Sequence, residues 1–194
     1  MHKQYIYPQD LHIHTIYSRN DSAVVPEQTL ELIYNLGHAR ITGISDHIEA
    51  MDLEEINGEY IPKVRSFGFK AGVEVDGFRS VEKALKAEVD YYVYHCRDKD
   101  IDYYGAELLL ETSKPLIIAH PYAIGTNLER VPGGCYVEIN NRYVWRYNWR
   151  RELSPFTDRF RFVISSDAHQ PNWLNQHVAR HVAGELGIEE TILF

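Results

Sequence analysis

Six of the ten histidines fall in short motifs suited to ligation: His12 and His14 in "DLHIHT", His47 in "ISDH", His95 in "YHC", His120 in "IIAHP" and His169 in "SSDAH". Neutral imidazole is the commonest protein ligand for a metal ion. The carboxylates of Glu74 in "GVEV" and Asp167 in "SSDAH" add hard oxygen donors to the set. A lone His-x-His is as readily a solvated or core-satisfied pair as a ligand pair. Five imidazole motifs spread along one chain are not explained that way. Mixed imidazole and carboxylate donors suit zinc, manganese or iron.

These residues need a scaffold that gathers them. Short β-rich runs alternate with helical patterns along the chain. The strand candidates are "DLHIH", "ITGIS", "KAGVEV", "YYVYH", "LIIAH", "YVEIN" and "FVISS". Between them lie "PEQTLELIYNLG", opened by Pro26 and closed by Gly37, then "SVEKALKAEV" and "YGAELLLETS", with "QPNWLNQHVARHVAGELG" after the last strand. Strands separated by helices imply parallel βα units. The ligating residues sit at or just beyond the strand ends: His12/His14, Asp46/His47, Glu74, His95, His120, Asn140 and Asp167/His169. A barrel brings such ends to one mouth, whereas an open sheet spreads them along a line. In "DLHIH", strand alternation would point Asp10, His12 and His14 one way and Leu11 and Ile13 the other.

With 194 residues, 44% hydrophobic and 25% charged, the chain reads as one globular domain spanning 1–194. No apolar run is long enough to cross a bilayer, and the opening "MHKQYIYPQD" has no apolar signal core. Cys96 and Cys135 form no Cys-x-x-Cys pair, so a reduced, cytoplasmic setting is expected. The net charge of −8 argues against a protein that coats nucleic acid. It does not argue against a small anionic substrate, because bound cations dominate a local field.

In order and approximate spacing, "DLHIHT", "ISDH", "GVEV", "YHC", "IIAHP" and "SSDAH" resemble the motifs of the PHP (polymerase and histidinol phosphatase) family, with "VEINN" similar to its penultimate strand. The resemblance runs from about Asp10 to about Trp173. It implies a distorted (β/α)7 barrel, two or three divalent ions and hydrolysis of a phosphate ester. Carried over by position, it implies a first ion on His12, His14, Glu74 and Asp167. A second is implied on Glu74, His95 and His120, and a third on His47 and His169. The family places a His or Asp in the loop after the first strand to complete the third site. The aligned residue here is Asn20, a neutral oxygen donor, with Asp21 beside it as the competing ligand.

Such a cluster clamps the attacking and leaving oxygens of an in-line displacement at phosphorus. Glu74 and Asp167 would carry the ions, His169 or a water would protonate the leaving alkoxide, and Arg142 would contact the phosphoryl group bidentately. Arg142, Arg146 and Arg150 recur every four residues and would share one helical stripe. Alternatively, those arginines lie over the barrel wall with their heads in water. Their interleaving with Tyr143, Trp145, Tyr147 and Trp149 also suits a single-strand stacking platform. A PHP-type exonuclease is therefore one alternative, and a non-catalytic metal-binding module is another. Asp10 and Asp46, each near a ligand histidine, are expected to orient the imidazoles. Cys96 is expected to turn away into the core, and His177 and His181 to lie on a solvated helix face.

Overall fold

Seven parallel strands follow one another in chain order: β1 (Tyr7–Asp10), β2 (Ala39–Ile44), β3 (Lys70–Val75), β4 (Tyr91–Tyr94), β5 (Leu116–Ile118), β6 (Tyr136–Asn140) and β7 (Arg161–Ser165). This computed structural model describes residues 6–194, so His2 lies outside the described residues. The sheet is nearly closed into a barrel. At its seam Ile13 bridges Ala168 in parallel, and the His14 N–H donates to the Ala168 carbonyl (2.9 Å). Among the described residues no helix is long and apolar enough to cross a membrane.

Alternation along each strand sorts the side chains into two layers. Outward positions such as Val73, Val75, Tyr92, Tyr94, Leu116, Ile118, Val137 and Ile139 pack in the larger core beneath the helices. Inward positions form a small barrel core of Leu11, Tyr91, Val93, Ile117, Ala119 and Val163. Tyr91 reaches across that interior to donate its hydroxyl to the Leu11 carbonyl (2.7 Å). A Cβ at Gly43 would come within 2.4 Å of its Oη, and one at Gly72 within 2.3 Å of its Cζ. Neither position has room for a methyl group. One step further along the strands, the inward residues become polar: Glu74, Glu138, Asn140 and Ser165, all buried.

The helices cover the outside. Leu30–Leu36 starts later than "PEQT" suggests, with Thr29 accepting the Leu32 N–H and Gly37 closing it at φ 55°. Val81–Lys86, Asp100–Leu110 and His177–Leu186 follow the expected order. The connection from β2 to β3 contains helical turns that the sequence pattern does not announce, including a π turn at Ile56–Tyr60. The Tyr60 hydroxyl there donates to the Gly72 carbonyl (2.9 Å) and accepts the Asp46 N–H (3.2 Å), pinning the loop that carries His47.

The first strand departs from expectation. β1 ends at Asp10, so "DLHIH" is not a continuous strand. Leu11 enters the inner core while Ile13 joins the outer one, although they are two residues apart. The regular pleat stops where the chain bends across the seam, and alternation no longer dictates direction. Asp10 does not accompany His12 and His14: it accepts His38 Nε2 (3.0 Å) and the Ser166 N–H (3.0 Å), tying β1 to the segment after β7.

Candidate metal centre

Glu74 sits at the end of β3, buried, with histidines around both carboxylate oxygens. Its Oε1 lies 3.1 Å from His12 Nε2, 2.6 Å from His95 Nε2 and 3.8 Å from His120 Nε2. Its Oε2 lies 3.4 Å from His14 Nε2 and 3.0 Å from His47 Nδ1. Three donor groups result, each with its atoms within 4.8 Å of one another: His12–His14–Glu74, Glu74–His95–His120 and His14–His47–His169. Asp167 borders the first group, its Oδ1 being 3.8 Å from His12 Nε2 and 3.7 Å from His14 Nε2. The structure thus brings together every imidazole singled out from the motifs.

The surroundings decide which face each imidazole presents. His12 Nδ1 donates to Glu138 Oε1 (2.8 Å). Ser18 donates its hydroxyl to Asp46 Oδ1 (2.6 Å), so its Oγ is left to accept from His14 Nδ1 (3.1 Å). His95 Nδ1 donates to Asp76 Oδ1 (3.0 Å). With Nδ1 committed as donor in all three, each neutral ring aims its Nε2 lone pair inward. His12 Nε2 then faces His14 Nε2 at 3.1 Å, and His95 Nε2 faces His120 Nε2 at 3.1 Å. Lone pairs and a carboxylate converging in a buried space repel unless a proton or a cation lies among them. Glu74 Oε1 has no aligned hydrogen-bond donor of its own. This donor set fits divalent metal ions.

Glu138 is the residue sequence reasoning missed. Besides holding His12, its Oε2 accepts the His120 N–H (2.7 Å) and Asn140 Nδ2 (3.0 Å). The signal was a charged residue at an inward position of "YVEIN", where a buried strand otherwise wants an apolar side chain. Asn140 also donates to Asp167 Oδ2 (3.1 Å), so β6 orients residues on both sides of the mouth. Asp46 acts on His14 through Ser18 and on the loop through the Thr15 N–H (2.6 Å). It does not cap the helical turn that follows, whose N-cap is His47.

Two site residues are strained. His120 has φ 24° and Asp167 φ 54°, and Ser113 is the only other non-glycine with positive φ among the described residues. Such conformations persist when surrounding contacts over-determine them, and they cluster at functional sites. His120 precedes Pro121, which further narrows its backbone choices. The Glu138 bond to its N–H holds it in place.

The charge balance follows from these contacts. Burial alone would raise the Glu74 pKa, but His95, His12, His14 and His47 hold it well below the usual carboxylate range. Burial works against a charged His95, yet Glu74 and Asp76 raise it to about 9. Burial likewise opposes a charged His47, and Glu74 and Asp21 raise it to about 11. Burial and the nearby His169 keep His14 well below the usual imidazole range, hence neutral. Burial pushes the Asp46 carboxyl up to about 6 against the hydrogen bonds of Ser18 and Thr15.

In the loop after β1 it is Asp21, rather than Asn20, that reaches the histidines. Its Oδ2 lies 2.8 Å from His169 Nε2 and 3.4 Å from His47 Nε2. Those two contacts hold its carboxyl well below the ordinary range. Asn20 is exposed on the rim of the cavity. The reason is local: the Asp21 N–H donates to the Ser18 carbonyl (3.0 Å) and Asp21 Oδ1 accepts the Ala23 N–H (2.7 Å), an Asx turn that aims the carboxylate inward. Asp21→Ala is therefore expected to weaken metal retention at His14–His47–His169 by about 10–100-fold, the effect of losing a supporting carboxylate. Asn20→Ala should leave it unchanged. Metal content after dialysis against graded chelator checks both.

Arg142 stands at the mouth, its Nη1 3.5 Å from Asp167 Oδ1 and 3.1 Å from His169 Nε2. The expected arginine stripe does not form. The segment breaks into a turn, a short 3-10 stretch at Val144–Arg146 and a separate helix at Trp149–Leu153, because Tyr147 and Asn148 leave helical geometry. Arg150 instead pairs with Glu185 (2.7 Å) on the outer surface. Cys96 packs in the outer core, where burial pushes its thiol up to about 12. His177 meets the Tyr7 hydroxyl (3.2 Å), away from the site. A cavity of about 510 Å³, bordered by Asp21, His47, Glu74, His95, His120 and Arg142 among others, opens above the cluster. No family model matches the chain, and no curated protein matches it.

Proposed function

We propose that this chain is a PHP-type, distorted (β/α)7 barrel acting as a divalent-metal-dependent phosphoesterase on a small phosphomonoester. One observation carries the reading: Glu74 is shared between two donor groups, at the floor of a cavity that also takes in Arg142. Two or three divalent ions (zinc, manganese or iron) held by His12, His14, Glu74, His95, His120 and Asp167, with His47, His169 and Asp21, supply Lewis acidity and an acidified water. The chain's own residues do the positioning. Arg142, its guanidinium 5.0 Å over both the Tyr143 and Trp173 rings, turns Nη1 to Asp167 (3.5 Å) and His169 (3.1 Å) and presents its remaining N–H groups to phosphoryl oxygens. Asn140 fixes Asp167. His169 has Nδ1 on the Asp167 carbonyl (3.0 Å), which turns Nε2 toward Asp21 Oδ2 (2.8 Å), where it would ligate beside that carboxylate or, when protonated, protonate the departing alkoxide. The buried free thiols Cys96 and Cys135 suit a reducing, cytoplasmic compartment.

Metal-loaded protein is expected to release phosphate from an aryl phosphate and from at least one sugar, nucleotide or amino-alcohol phosphate, with activity abolished by chelator. Stepwise release of nucleotides from a single-stranded oligonucleotide would favour the exonuclease. Stoichiometric metal without turnover on any of these would favour a binding module.

A further inference from the structure

Beside the metal cavity lies a second pocket of about 250 Å³ that shares Arg142 with it and is also framed by Arg146, Trp145, Trp173 and Asn175. We propose that this pocket is a subsite for a second anionic group, a phosphate or a carboxylate, carried by the alcohol half of the substrate. This rests on the phosphoesterase reading and extends it to the substrate class: phosphomonoesters with a further negative charge.

The charges point that way. In a chain of net charge −8, no acidic residue among the described residues lines this pocket. Farther along the same segment, Arg150 pairs with Glu185 (2.7 Å) and Arg151 with Glu152 (3.8 Å). Arg146 joins no ion pair among the described residues. Its guanidinium instead lies 4.9 Å over the Trp145 ring and 5.3 Å over Tyr143. Arg142 stacks likewise, 5.0 Å over Trp173, with its Nη1 turned toward Asp167 and His169 and its other N–H groups left for the pocket. A guanidinium shelved on an aromatic face has lost much of its rotamer freedom and keeps its planar fork for a carboxylate or phosphate. Both guanidiniums border Tyr143, so an anion in this pocket would meet positive charge from each.

A neutral donor completes the set. Asn141 Oδ1 accepts the Val178 and Ala179 N–H groups (3.0 and 3.1 Å), which leaves Asn141 Nδ2 to donate to Asn175 Oδ1 (3.0 Å). That bond fixes the Asn175 amide with its Nδ2 as the uncommitted end, held only by a 3.4 Å contact to the Asn172 carbonyl. Because Arg142 borders both cavities, an ester phosphate over the metal cluster and an anion beside Arg146 are joined by a short chain.

The test compares a short alkyl phosphonate with the α,ω-bisphosphonate of the same chain, neither hydrolysable, titrated into metal-loaded protein and followed by tryptophan fluorescence. The bisphosphonate is expected to bind more tightly. Arg146→Ala should weaken it about 10–100-fold, the loss of a charged bidentate contact, and leave the monophosphonate unchanged. Arg146→Lys should restore part of the difference. Arg146 is exposed, so neither variant should shift the melting temperature. For hydrolysable phosphate and carboxylate analogues, KM should rise in Arg146→Ala with kcat little changed. Equal binding of the two phosphonates, or equal weakening of both by Arg146→Ala, would overturn the subsite. A retained binding difference without hydrolysis of any ester would leave the subsite standing and sink the phosphoesterase reading.

Discussion

Glu74→Gln is expected to lower metal-dependent turnover by about 10³-fold or more, equivalent to ~4 kcal/mol of transition-state stabilisation, and to leave the protein short of firmly held metal. The substitution keeps shape and volume and removes only the charge. Both carboxylate oxygens are in use: Oε1 faces His12, His95 and His120, and Oε2 faces His14 and His47. An amide offers one oxygen and turns an N–H₂ toward the imidazoles opposite, so it cannot serve two donor groups together. The loss should exceed the 10–100-fold typical of a supporting residue such as Glu138. Metal analysis after dialysis and steady-state rates on an aryl phosphate check this. A Gln variant with full metal content and wild-type turnover would show that the histidines alone assemble the site.

Metal binding at pH 7 is expected to release more than one proton per protein, and affinity should climb roughly tenfold per pH unit for each proton displaced. In the ion-free protein protons take the place of cations among the converging donors. His47 is raised to about 11 and His95 to about 9, mainly by Glu74 against the pull of burial. Burial works against a charged His12, yet Glu138, Asp167 and Glu74 raise it well above the usual range. These folded-state values lie above the unfolded imidazole value of about 6.5. Their ion pairs therefore stabilise the ion-free protein fully below about pH 6.5, and that contribution is lost as pH rises through about 9 to 11. Metal reverses the trend, because ligation requires the deprotonated rings and strengthens as pH rises. Calorimetry in two buffers of different ionisation enthalpy counts the protons, and melting curves with and without metal give the opposing slopes. A proton count of zero at pH 7 would mean that the rings are already neutral before the ion arrives.

The residue types at the strand ends were legible from the chain alone. His95, His120 and Glu74 follow from β-rich runs that close on a ligating side chain, and "KAGVEV" and "YVEIN" coincide with β3 and β6 as observed. Local period and local chemistry suffice for that, because a parallel strand's residue types depend on its own burial on both faces. The βα alternation likewise carried the all-parallel order, while near closure into a barrel had to be seen in the tertiary structure. Four further matters were decided there. The bend after Asp10 sends Leu11 and Ile13 to different layers, since leaving the pleat ends the period of two. An Asx turn puts Asp21 on His169 and leaves Asn20 at the rim, a choice made by backbone hydrogen bonds one residue apart. The arginines spaced for one helix are parted by two non-helical residues, so Arg142 serves the mouth and Arg150 the outer wall. Glu138 meets His12 across 126 positions of chain. A contact of that span is set by which strands become neighbours and in what register, and no window of sequence contains both partners.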